Sequence, residues 1–239
     1  MAVSVIQPSI QRKSALIAGI SLFIMVLVSF FSYGFAHESL VVQGDANATF
    51  QNIKSSPMLF KAEIFGWVII LITDIVVAWA FYLFLKPNNP YLSLLAAWFR
   101  LIYTAILGIA LLNLIVVLLL SKSTEPLGLI PIDQLQAQMM LSLQAFESIW
   151  SIGLMIFGGH LMLVGYVAVQ SENIPRVIGL LLLAASVGYM VINLSKLFFP
   201  QNIGLISTLT AIFQLPMIAG ELGFGIWLLL KGGVASKRS

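Results

Sequence analysis

Long apolar runs broken by short polar links dominate this chain of 239 residues. Six runs are long enough to read as membrane-crossing helices, at about Ser14–Phe35, Ala62–Leu85, Tyr91–Leu120, Met139–Val169, Pro175–Phe198 and Leu205–Leu230. The links carry helix breakers: Lys86-Pro-Asn-Asn-Pro90, Glu125-Pro126 with Pro131, Pro175, and Pro200-Gln-Asn-Ile-Gly204. Two amphipathic pieces interrupt the pattern. One is a short helix over 45–56 with Asp45 as its N-cap; the other opens at Asp133 and runs straight into the fourth span. The expectation is an all-α, polytopic bundle forming a single transmembrane domain over 1–239.

Within the spans, polar positions fall at helical spacing. Glu63, Trp67 and Asp74 share one face of the second span, and Arg100 lies with Tyr103 and Thr104 on the third. The fourth span has one row of Glu147, Ser151, Gly158 and Gly165, with His160 pointing elsewhere. The fifth aligns Gly179, Ser186, Tyr189 and Asn193, and the sixth aligns Ser207, Thr210, Gln214 and Glu221. Pro216 sits above that carboxylate and removes the hydrogen bond to the Ile212 carbonyl.

Composition removes whole classes of function. Hydrophobic residues make up 60% of the chain, charged residues 9%, and mean hydropathy is +1.02, which excludes an ordinary soluble domain. The net charge of +3 has no basic run suited to nucleic acid. Without cysteine there is no disulfide, thiolate metal site or cysteine nucleophile. No nucleophile elbow, phosphate-cradling loop, dinucleotide fingerprint or HExxH helix is present, so no cofactor and no metal is expected, and the reading leans away from an enzyme.

Lys and Arg set an expected orientation. Arg12, Lys13, Lys86, Arg176, Lys231, Lys237 and Arg238 fall on one side, which predicts both termini in the cytoplasm. The opposite side carries Lys54, Lys61, Lys122 and Lys196, diluted by acidic residues. The Gly34-Phe-Ala36 string resembles a signal-peptide cleavage site, but the run before it is longer than such peptides use, so the span is retained. Asn47-Ala-Thr49 matches a glycosylation acceptor pattern.

On that topology Asp74, Arg100, His160 and Glu221 each lie roughly ten residues from one end of their helix. At about 1.5 Å per residue this is near the middle of a roughly 30 Å hydrocarbon core. A charge at that depth costs ~2.5–3.5 kcal/mol or more, so these groups need partners or a wet cavity. The expected pocket comprises Asp74, Arg100, Tyr103, His160, Tyr189, Gln214 and Glu221, with Asp45, Thr49, Glu63, Glu147 and Asn193 as secondary members. Its expected occupant is a small amphiphile or anion, with the Arg100 fork as anchor and Glu221 and His160 as proton-linked partners. An intramembrane enzyme acting on a lipid-like substrate, and a structural or partner-binding protein with a buried ion-pair network, are the competing readings. A metal held by His160, Asp74 and Glu221 is opposed by the Arg100 charge, and haem between two histidines is opposed by the position of His37 at the outer boundary. The oligomeric state is not specified by these patterns.

Several strings recur in one order: Gly44–Thr49 (GDANAT), Ala80–Pro87 (AFYLFLKP), Ala96–Leu101 (AAWFRL), Phe157–Val167 (FGGHLMLVGYV), Ile174–Met190 (IPRVIGLLLLAASVGYM) and Gly220–Gly232 (GELGFGIWLLLKG). In these the chain resembles the bacterial membrane proteins catalogued as domain of unknown function 4386, over nearly its whole length. The resemblance implies a bacterial plasma membrane. It implies motif positions at Asp45 with Thr49, Arg100, His160, Pro175, Gly188-Tyr189 and Glu221, with Asp74 in a more variable stretch.

Overall fold

The structure is a computed structural model, and it describes residues 3–122 and 131–234. The Glu125-Pro126 break and the basic Lys237 and Arg238 lie outside those residues. Among the described residues seven α-helices of ten residues or more follow one another: α1 (Val3–Ser29), α2 (Ala46–Ser55), α3 (Pro57–Leu85), α4 (Pro90–Lys122), α5 (Ile132–Gln170), α6 (Arg176–Phe198) and α7 (Ile203–Leu230). No strand occurs among the described residues. Among the described residues six stretches are long and apolar enough to cross a membrane: Ile10–Leu40 and the helices α3 to α7.

Local chemistry explains the boundaries. Gly44 turns the chain with φ +77°, and the Asp45 carboxylate accepts from the Ala48 amide at 2.8 Å, capping α2. Pro57 and Pro90 open α3 and α4, where a missing amide proton costs nothing. Asn89 and Asn202 cap α4 and α7 through side-chain oxygens on Leu92 and Leu205. Pro216 sits inside α7 without ending it. At the other end of α7, the Arg12 guanidinium donates to the carbonyls of Leu228, Leu229 and Gly232 at 2.7–3.1 Å, a cation on the negative end of the helix.

The first span departs from α geometry. After Ser29 the backbone runs as a π-helix through Phe30–His37, and Glu38 donates its amide to the Tyr33 carbonyl five residues back. An α turn at Glu38–Leu40 closes the span. A π segment shifts the phase of every residue after it and is frequent at functional sites.

The contacts divide into two compact units. One, the Arg100 unit, gathers the chain up to Ile24 with Thr73–Thr104 and everything from Ser151 onward; the other, the His37 unit, holds Met25–Ile72 with Ala105–Trp150. In the Arg100 unit α5 and α6 cross closely: a Cβ on Gly165 would stand 3.0 Å from the Gly179 carbonyl oxygen. In the His37 unit a Cβ on Gly66 would collide with the Ser32 hydroxyl, which keeps α3 against the first span.

Candidate functional site

The Arg100 unit contains a chain of side-chain contacts built from five helices, α3 to α7. Arg100 of α4 pairs with Asp74 of α3, Nη2 to Oδ1 at 2.6 Å, close in distance although poorly aligned as a hydrogen bond. The other terminal nitrogen of Arg100 donates to His160 Nε2 at 3.2 Å. His160 Nδ1 lies 2.9 Å from the Ala96 carbonyl oxygen, which only accepts, so Nδ1 carries the proton and Nε2 is the bare nitrogen facing Arg100. His160 is therefore held as a neutral imidazole in one tautomer.

Aromatic rings close this cluster. The guanidinium carbon stands 5.8 Å from the Phe81 ring centre and 5.3 Å from that of Phe157, and both rings also stack on His160. Ring faces lend a partial negative surface to the cation. Arg100 is 1% exposed, and Asp74 and His160 are completely enclosed. Such a group is costly to bury, and the Asp74 carboxylate offsets its charge.

Phe157 links this core to a second polar pair. Its ring lies 5.0 Å from Tyr103 and 5.1 Å, edge to face, from Tyr189. The Tyr189 hydroxyl donates to Glu221 Oε1 at 2.7 Å, joining α6 to α7. Unlike the arginine cluster, Tyr189 and Glu221 are only half-buried. One turn on, Asn193 is enclosed; its amide donates to the Tyr189 carbonyl at 2.8 Å, and its side-chain oxygen has no partner among the described residues.

Six of the seven expected pocket residues thus lie in one contact chain through Phe157, and Gln214 does not. It is exposed on α7, and two other polar residues of that stripe, Ser207 and Thr210, bond carbonyls of their own helix. Their hydroxyls satisfy themselves locally, so the stripe needs no partner helix. His160 and Glu221, for which a proton relay is the alternative to a satisfied core histidine, each bond to a different partner. Asp45 and Thr49 form the entry to α2: Thr49 accepts from the Val42 amide at 2.9 Å and donates to the Asp45 carbonyl at 2.8 Å. Among the described residues no group of three or more His, Asp or Glu side chains converges as metal ligands would.

Glu63 and Glu147 belong to a separate cluster in the His37 unit, and its centre is His37. Nδ1 of His37 lies 2.7 Å from Glu63 Oε1, and Nε2 lies 3.6 Å from Glu147 Oε1. Tyr33 stacks flat on the His37 ring at 5.3 Å, and Phe146 touches it at 6.0 Å. Trp67 and Trp150 pack edge to face at 4.9 Å beside them. The signals in the sequence are pairs four residues apart, Tyr33 with His37, Glu63 with Trp67, and Phe146 with Trp150.

The family described as "Domain of unknown function (DUF4386)" matches residues 17–232. An uncharacterised protein of the archaeon Archaeoglobus fulgidus is 29% identical over 171 residues, covering 71% of this chain and 83% of that protein. No solved structure matches. The match over nearly the whole chain establishes that this multipass membrane protein belongs to the DUF4386 family.

Proposed function

We propose that the protein binds or carries a small amphiphile within the membrane, at the Tyr189–Glu221 end of the contact chain. The observation that carries this reading is the gradient of exposure: Arg100, Asp74 and His160 are enclosed, whereas Tyr189 and Glu221 are half-buried. An anion at Arg100 would have to displace Asp74 and push the Phe81 and Phe157 rings aside. A head group that donates hydrogen bonds, such as an amine or a hydroxyl, needs only to approach the Glu221 carboxylate. The enclosed cluster then serves as the scaffold that holds Phe157, and through it Tyr189, in place. Both termini are read as cytoplasmic and the setting as a bacterial plasma membrane.

Native mass spectrometry of the protein in mild detergent tests this. A bound mass is expected on the parent and on Arg100→Lys, and its loss is expected from folded Glu221→Gln. A mass that persists on Glu221→Gln overturns the assignment. The competing reading, a purely structural charge network, is favoured by the complete enclosure of Arg100. It predicts no bound mass on any form.

A further inference from the structure

His37 differs from His160 in the partners of its two nitrogens. Both face carboxylates, and those carboxylates differ in access. Glu63, on the Nδ1 side, is wholly enclosed, and its second oxygen has no hydrogen-bond partner among the described residues. Glu147, on the Nε2 side, keeps 32% of its side chain exposed. The imidazole between them is clamped in its plane by Tyr33, stacked within 15° of parallel, and it is delivered by the π-helical segment. The charged or titratable groups facing it are Tyr33 and Glu38 from its own span, Glu63 from α3 and Glu147 from α5.

We propose that Glu147, His37 and Glu63 form a proton-transfer site that carries a proton from the half-buried carboxyl to the enclosed one. The proton on Glu147 moves to Nε2 of His37 as the proton on Nδ1 moves to Glu63 Oε1. One O–H and one N–H bond break, one N–H and one O–H bond form, and the negative charge passes from Glu63 to Glu147. No oxidant, reductant or further reactant is needed. The Nδ1 step already spans a short hydrogen bond. The Nε2 step needs Glu147, which also hydrogen-bonds Tyr33, to close a 3.6 Å separation by roughly half an ångström or more to reach hydrogen-bond distance. A ring with two nitrogens is the group that hands a proton through itself without turning over. The site lies within the His37 unit and stands whether or not an amphiphile binds at Glu221.

The chain has 2 histidines, so histidine-selective nitrogen labelling gives a spectrum with two imidazoles. In lipid nanodiscs, the His37 nitrogen signals are expected to move between tautomers across about pH 5 to 8. His160 is expected to stay in its Nδ1-protonated form and so report folding. Glu147→Gln should abolish the His37 movement while leaving His160 unchanged. A His37 signal that is invariant in the parent protein, or that moves identically in folded Glu147→Gln, overturns the proposal. If Glu147→Gln disturbs His160, Glu147→Asp replaces it, because it keeps the carboxyl but withdraws it by one methylene. Slower exchange then supports the proposal and unchanged exchange overturns it.

Discussion

The two units solve the same problem, a histidine and charged groups enclosed in an apolar helix bundle, in opposite ways. In the Arg100 unit the histidine and the cation are each held by fixed partners: Asp74 on the guanidinium, a carbonyl on one nitrogen of His160, the guanidinium on the other. A donor on one side and an acceptor on the other leave His160 one tautomer. In the His37 unit both nitrogens meet acceptor carboxylates, so the ring has two ways to place a proton. Aromatic rings wall both clusters, so burial alone does not separate them. The identity of the partners does: a permanent cation freezes its neighbours, and a second carboxylate leaves a choice.

The sharpest way to break this comparison is to remove one partner from the frozen cluster. Asp74→Asn leaves the Arg100 charge enclosed without its counter-ion and should cost ~3–5 kcal/mol of stability. Denaturant unfolding in detergent measures it; a loss under about 1 kcal/mol would mean that Arg100 reaches solvent, and the contrast between the units would collapse. In the other unit the matching change is Glu63→Leu, which strips the Nδ1 partner of His37. An unmet neutral donor costs about 1–3 kcal/mol, so the same assay should register a smaller loss.

Outside both clusters, Asp45→Ala removes one capping bond from α2 and should cost about 1 kcal/mol. Glu147→Gln should cost less than about 1 kcal/mol, because a carboxylate with a third of its surface exposed gains little from pairing. Its effect belongs in the proton-exchange behaviour of His37. A large stability loss from Glu147→Gln would recast the His37 cluster as a second locked network and erase the difference between the units.

How far these clusters are legible in the sequence follows the same line. Six spans stand out because about twenty apolar residues in a row have few other uses. The Asp45 cap and the continuous helix from Ile132 follow from local chemistry that acts within one turn. Asp74, Arg100 and His160 are marked as ionisable side chains at depth, since a buried cation needs an anion near it. Helical phase places Gln214 with them, but phase assigns a residue to a stripe without saying what covers that stripe; α7 leaves it exposed. His37 escapes the sequence for a different reason. Its position near a span end suggests a boundary residue, and the π turn before it alters the phase that α spacing assumes. Phe157, which touches Arg100, His160, Tyr103 and Tyr189, carries no polar signal.

The smallest predicted effect is the most discriminating. Replacing both Asp74 and Arg100 by leucine and methionine removes the ion pair without leaving either charge alone. Well-packed apolar substitutes for a buried pair are often neutral, so the double variant should lie within about 1 kcal/mol of the parent, although Asp74→Asn alone is costly. The Nε2 of His160 would then lose its donor and be free to change tautomer, which the histidine nitrogen spectrum reads directly. If His160 begins to titrate in a stably folded double variant, the guanidinium is what locks it, and the two histidines differ by their neighbours alone. If His160 stays in its Nδ1-protonated form, the Ala96 carbonyl suffices to hold it. The contrast with His37 would then reduce to one backbone acceptor against a carboxylate that can take the proton.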